Sequence, residues 1–219
     1  LAGRATFGYV AVDLHDESLV WLKDSWRLDI IIARKEADIY RCLSEANVPH
    51  VPAMLVGGDV LGHATESQEF IKCPWVCWTE GVEAYRYHRV VLRTVARPLK
   101  NFRSTHELTI AVRDAIDAHA DAYTKLNILH TDISAGNIMI TADGHGLLID
   151  WELAVYVDKE ENKVLTVSFS SFGFGHYILI EVAQGTWRFA SSARLESDGT
   201  KVHTLQDDLE SFVHVFVYH

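Results

Sequence analysis

The sequence predicts an α+β fold, and three observations carry the prediction. Residues 19–22 and 87–95 (Y-H-R-V-V-L-R-T-V) are apolar, β-branched runs that read as strands in the N-terminal half. A helix pattern follows Ser104-Thr105-His106-Glu107, which reads as a capping box in which Glu107 reaches back. Its apolar stripe comprises Leu108, Ala111, Val112, Ala115, Ile116, Ala122, Tyr123 and Leu126, spread over about five helical turns. Two short apolar runs, residues 138–140 and 147–149, then flank Asp143-Gly144-His145-Gly146 and predict a tight hairpin.

Composition narrows the function. The 219 residues suffice for one or two domains, and a hydrophobic fraction of 48% supports a real core. The net charge of -10 argues against nucleic acid and against anionic membranes as partners. No run of eighteen apolar residues predicts a transmembrane helix, and no signal peptide is visible. The first residue is not Met, which leaves the true N-terminus open. Cys73-x-x-x-Cys77 has no second Cys or His pair beside it, so Cys42, Cys73 and Cys77 read as buried free thiols in a reducing compartment. The twelve histidines are scattered, and most read as surface or satisfied core positions.

Taken in order, the chain opens with Gly3-Arg4-Ala5-Thr6-Phe7-Gly8-Tyr9-Val10. Glycines there would let backbone approach a phosphate closely, whereas a plain hairpin strand is the bland alternative. The strand 19–22 ends in Lys23. Residues 34–43 read as a helix with Glu36, Tyr40 and Leu43 on one face. Residues 47–59 hold two prolines and a Gly-Gly pair, which end that helix and lead into strands. Residues 69–79 read as strand and loop. After the hairpin, residues 158–163 are charged, and residues 164–184 form an apolar, β-branched and aromatic run with one charge, Glu181. Asp207 and Asp208 open a final helix.

The chemistry concentrates in residues 129–152, L-H-T-D-I-S-A-G-N-I-M-I-T-A-D-G-H-G-L-L-I-D-W-E. The second hairpin strand returns Asp150 to the level of Asn137, so Asp132, Asn137 and Asp150 are expected to converge. Such oxygen donors suit Mg²⁺ shared with substrate phosphates, and the remaining carboxylate is placed to take a hydroxyl proton.

This stretch resembles the protein-kinase signature H-R-D-x-x-x-x-N and D-F-G, and its wording resembles the fungal-type protein kinases most. V-W-L-K-D-S-W-R at 20–27, G-T-W-R-F at 185–189 and L-Q-D-D-L-E-S-F at 205–212 are similar to further segments of that family. The resemblance implies a single two-lobed protein-kinase-like domain, with a small β-rich lobe at 1–96 and a partial, truncated helical large lobe at 97–219. It implies ATP and Mg²⁺ as cofactors and an unidentified protein substrate, with serine or threonine as acceptor. Asp132 would be the catalytic base, and Lys23, held by Glu36 (Glu45 as runner-up), would orient the inner phosphates. Gly3, Gly8 and Val10 would line the nucleotide, Asn137 and Asp150 would hold the metal, and the hinge would fall near residues 93–97. Thr186 would touch the catalytic carboxylate. Asp208, or else Asp207, would accept backbone N–H groups of the catalytic loop. An intracellular location, cytoplasm or nucleus, goes with this reading, and oligomeric state is not read.

The chain departs from the family pattern at several places. Ala5 replaces the middle glycine, Thr131 the arginine before Asp132, and Ser134 the lysine two residues after it. Trp151-Glu152 replaces phenylalanine-glycine, and Ala193 stands where a glutamate forms a buried ion pair. The run 164–184 reads as an insertion, either a docked hairpin or non-native sequence such as a retained intron, with the second favoured. A chain stopping at His219 reads as a fragment or a reduced lobe. Two rivals remain: an inactive pseudokinase scaffold fragment, or a small-molecule kinase of the aminoglycoside or choline phosphotransferase type.

Overall fold

In a computed structural model of the chain, the described residues are 6–29, 35–71, 73–76, 84–158, 163–164, 186–196 and 202–219. Gly3, Cys77, Gly185 and nearly all of the run 164–184 lie outside them. The fold is α+β, and the chain divides into two compact units. The first comprises residues 1–38 and 53–95, and the second residues 39–52 and 96–219.

The first unit is a four-stranded antiparallel sheet. It contains β1 (Phe7–Val12), β2 (Leu19–Leu28), β3 (Met54–Ala64) and β4 (Tyr85–Leu92), in the order β1-β2-β4-β3. The strand carrying Lys23 does not end there; it runs on to Leu28. The reason is pairing with β4, which runs on from Lys23 opposite Val90 to Leu28 opposite Tyr85, whereas β1 pairs only as far as Asp24. Charged side chains stitch the sheet beyond Lys23. Arg89 grips its cross-strand partner Asp24 with two hydrogen bonds of 2.7 and 2.9 Å, and Arg27 grips Asp59 with two of 2.8 and 2.6 Å. Paired, forked contacts of this kind are the strong form of a guanidinium–carboxylate bond. They allow polar residues to continue a strand whose apolar run has stopped.

Helix α1 (Glu36–Glu45) starts two residues later than the sequence pattern indicates. Its remaining turns and the loop to Pro52 belong to the second unit, although the sequence division at 96/97 assigns them to the first. Hydrogen bonds explain the grouping. Leu148 donates to the His50 carbonyl at 2.9 Å, Lys125 to the Asn47 carbonyl at 3.0 Å, and the Asp150 N–H to the Tyr40 hydroxyl at 3.3 Å. Asn47 ends the helix in the left-handed region, at φ 51°. Residues 67–70 form a 3-10 turn instead of the strand expected from residue 69 onward.

The second unit is built on α2 (Thr105–Leu126), a 22-residue helix. Ser104 caps it by accepting the Glu107 N–H at 3.2 Å. Glu107 does not complete the expected box; its carboxylate accepts the N–H of Arg103 at 2.6 Å and pairs with Arg97. Arg97 pulls the carboxylate one residue further out. The buried face holds Leu108, Ala111, Val112, Ala115, Ala118 and Ala122, but also Asp114 and His119. Against it lie β6 (Ile128–Leu129), β7 (Ile138–Ile140) and β8 (Gly146–Leu148), with β5 (Arg97–Pro98) paired to β7; β9 (Val155–Asp158) and β10 (Lys163–Val164) follow β8 in the chain. Strands β5-β7-β8 form one sheet and β10-β9-β6 another. The predicted hairpin is present, with Ile138 opposite Leu148 and Ile140 opposite Gly146. Gly146 permits its approach to α2, because a Cβ there would lie 2.2 Å from the Ala111 carbonyl oxygen.

The short α3 (Ser192–Leu195) leads to α4 (Leu205–Tyr218), which buries Asp207, Asp208, Ser211, Phe212 and Val215. Cys42 and Cys73 are free and half-buried, less enclosed than the sequence indicates. Among the described residues, no helix is long and apolar enough to cross a membrane.

Candidate active site

In the first unit, the Lys23 ammonium donates to Glu36 at 2.7 Å, and both side chains are buried. Glu45, the alternative partner, is exposed at the other end of the helix. Two features unseen in the sequence fix the start of α1 where Glu36 sits. The Ala37 N–H donates to His88 Nε2 at 3.4 Å, which leaves the Nδ1–H of His88 to donate to Asp59 at 2.9 Å. Arg27's hydrogen bonds hold the Asp59 carboxyl well below the usual carboxylate range. Gly57 leaves room for the fully buried Ala37, since a Cβ at Gly57 would lie 2.8 Å from the Ala37 Cβ. A chain of Arg27, Asp59, His88 and Ala37 thus aims the helix that presents Glu36 to Lys23. Gly8 and Val10 lie within β1, not in a loop. A Cβ at Gly8 would lie 2.1 Å from the Trp21 ring, so this glycine makes space for the indole.

In the second unit, the loop between β6 and β7 carries Asp132 and Asn137. The Asn137 amide donates to the Asp132 carbonyl at 2.8 Å and to its carboxylate Oδ2 at 3.1 Å. The other carboxylate oxygen, Oδ1, accepts the Thr186 N–H at 2.8 Å and hydroxyl at 3.1 Å. Thr186 therefore touches the carboxylate, as its place in the sequence suggests. Both Asn137 protons are directed at Asp132, so the amide oxygen remains as a hard oxygen donor. Asp150 follows directly on Ile149, whose N–H donates to the Asn137 carbonyl at 2.9 Å. Its backbone is left-handed, at φ 65°. An amide oxygen and a carboxylate are the donor types Mg²⁺ takes, so Asn137 and Asp150 fit that ion.

The loop is held from behind. His130 is fully buried, and burial lowers its proton affinity below that of an ordinary imidazole. Its hydrogen bonds are those of a neutral ring: Nε2–H donates to the Ile149 carbonyl at 2.9 Å, while Nδ1 accepts the Asp132 N–H at 3.3 Å. One ring thus ties the backbone of Asp132 to the residue before Asp150. Trp151 packs edge-on against it at 4.6 Å and is fully buried, donating from its indole to the Leu148 carbonyl at 3.1 Å. Thr131, which stands where the family pattern has an arginine, donates its hydroxyl to the Leu153 carbonyl at 2.8 Å.

Asp208, not Asp207, receives the catalytic loop. Its Oδ2 accepts the N–H of His130 at 3.0 Å, the N–H of Thr131 at 3.3 Å and His119 Nε2–H at 2.7 Å. Its Oδ1 accepts from His203 Nε2 at 2.7 Å, and Arg194 donates to the other ring nitrogen of His203 at 2.7 Å. The carboxyl titrates well below the usual range: burial alone would raise it, but the two imidazoles outweigh that cost. Asp207 instead caps α4, accepting the Thr204 N–H and hydroxyl at 2.8 and 2.6 Å. Ala193 is exposed, and Glu210 takes over the docking of α3 by accepting the Ser192 N–H and hydroxyl at 2.8 and 2.6 Å.

A loop whose aspartate and asparagine lock each other, followed by a hairpin that delivers a second aspartate, is the arrangement of a phosphotransferase of the protein-kinase class. The profile of the fungal protein kinase family matches residues 61–219, most of the chain, and the chain belongs to that family. Asp132, Asn137 and Asp150 lie inside the matched residues, whereas Lys23 and Glu36 precede them. A comparison with curated proteins finds no match.

Proposed function

We propose that the chain transfers the γ-phosphate of ATP to a serine or threonine hydroxyl of a protein substrate, inside the cell. The single observation carrying this reading is the two-sided grip on Asp132, by Asn137 on one oxygen and Thr186 on the other. A carboxylate so fixed can steer a hydroxyl proton without reorganising during the reaction. Asn137 and Asp150 would hold Mg²⁺, which supplies charge neutralisation of the phosphates. Lys23, aimed by Glu36, would bind the inner phosphates. Gly8 and Val10 would lie along the nucleotide, and the two compact units would act as small and large lobes. Ser134 is buried where a lysine would meet the transferred phosphate, so positioning by Asp132 and the metal ligands carries a larger share of the rate.

The test is transfer of labelled phosphate from ATP to mixed protein acceptors by the whole chain and by Asp132→Asn. The variant should lose about 10²–10⁴-fold in kcat while ATP affinity stays within a few-fold. Equal rates in both proteins would remove Asp132 from the chemistry. Transfer to small alcohols or aminoglycosides but to no protein would establish the small-molecule reading, and ATP binding without any transfer the scaffold reading.

A further inference from the structure

The turn of the β7–β8 hairpin meets α2 and the loop after α1 at three side chains that the catalytic loop does not use: His50, Asp114 and His145. Asp114 is fully buried in the middle of α2. Its Oδ2 lies 2.9 Å from His145 Nδ1 and 3.7 Å from His50 Nδ1, and the three candidate ligand atoms all fall within 4.8 Å of one another. Four-coordinate Zn²⁺ with bonds of about 2.0–2.2 Å needs its ligand atoms roughly 3.3–3.5 Å apart. The two carboxylate–imidazole separations straddle that spacing and the imidazole–imidazole one is within 4.8 Å, so seating an ion requires the rings to close by no more than about 1.5 Å.

The surroundings prepare the three groups. Arg113 engages Asp114 Oδ1 at 2.6 and 3.1 Å, and the Gly146 N–H donates to Oδ2 at 3.0 Å, which turns Oδ2 towards the imidazoles. The two rings stack at 6.2 Å with 27° between their planes. His50 is held in the left-handed region, at φ 56°, with its carbonyl accepting the Leu148 N–H. The His145 side chain is 53% exposed, so the site opens to solvent on one side.

We propose that His50, Asp114 and His145 form a site for a late first-row divalent cation, Zn²⁺ foremost, with water in the fourth position. Two imidazoles and one carboxylate are a nitrogen-and-oxygen set that favours such ions over Mg²⁺. The site is chemically distinct from the all-oxygen pair Asn137 and Asp150. Occupancy would cross-link the loop after α1, the middle of α2 and the hairpin turn, and so stiffen the hairpin that separates Asn137 from Asp150.

Titration of the chelator-stripped whole chain with Co²⁺, read by the intense visible absorption of four-coordinate Co²⁺, tests the site. One equivalent should bind, and Zn²⁺ should displace it. His50→Gln and His145→Gln should each weaken binding about tenfold or more. Both variants should melt as the metal-free parent does, since neither imidazole fills the core. Asp150→Ala should leave the visible band in place. Absence of a four-coordinate band overturns the assignment. So does a band that survives either histidine substitution at unchanged affinity.

Discussion

Thr131 keeps φ at 67°, a costly conformation for a β-branched residue. Such strain costs on the order of 1–3 kcal/mol and persists only where neighbours over-determine it. Here Asp208 holds the N–H and the Leu153 carbonyl holds the hydroxyl. The distortion turns the chain so that the next residue, Asp132, faces Asn137 and Thr186. Glycines matter at the same scale where backbone meets backbone. Gly146 faces the Ala111 carbonyl with no room for a methyl, whereas Gly58 has nothing within 4 Å of its missing Cβ. Gly146→Ala should therefore destabilise by about 1–3 kcal/mol. Gly58→Ala should stay within about 0.5 kcal/mol of the parent. Urea denaturation of both variants decides it, and an unchanged midpoint for Gly146→Ala would refute the close approach.

At the scale of elements, α2, α4 and the catalytic loop are joined through one buried charge. Asp208 faces His119 from α2, His203 from the segment before α4, and Arg194 behind His203. Its proton affinity is depressed in the folded state, so the unfolded chain binds the proton more readily. Stability from this group is complete above the unfolded value of about 3.9 and is lost as pH falls through the depressed folded value. Asp208→Asn should cost about 3 kcal/mol or more at neutral pH, because the charge is lost and an amide NH2 replaces one of the two acceptor oxygens, facing either His203 or the loop N–H groups and His119. The gap between parent and variant in urea midpoint should narrow as pH drops below about 4. A constant gap would show that the charge does not matter. The network also marks where sequence reading stops. The hairpin is legible because two short apolar runs and a glycine turn are local signals. The hairpin brings Asp132, Asn137 and Asp150 to one level, and the similarity to a known family supplies their roles and points to Asp208. His119 reaches Asp208 across 89 residues and His88 reaches Ala37 across 51, separations at which no periodicity connects them. Buried polar residues on an otherwise apolar helix face are the one sequence signal that could have flagged His119 and Asp114.

For the molecule as a whole, the proposed chemistry draws on both compact units, Lys23 and Glu36 in one and Asp132, Asn137 and Asp150 in the other. A nucleotide with its metal would therefore stabilise the native chain by mass action, through every group that contacts it. At a concentration about a hundredfold above Kd, that amounts to about 2.7 kcal/mol. For a chain of this length each kcal/mol moves the melting temperature by about 2–4 °C, so ATP with Mg²⁺ should raise Tm by roughly 5–10 °C. Asp150→Ala should lose the part of the shift that requires Mg²⁺, and Lys23→Met should reduce the part that ATP produces alone. Asp150→Ala should leave the melting temperature of the free chain nearly unchanged, whereas Lys23→Met takes the ammonium from the buried carboxylate of Glu36 and should lower it, so its ATP shift is read against its own melt. A cooperative melt that ATP and Mg²⁺ leave unmoved would place the geometry of the loop in a folded protein without nucleotide chemistry. A shift of equal size in parent and Asp150→Ala would instead keep the nucleotide and displace the metal from Asp150.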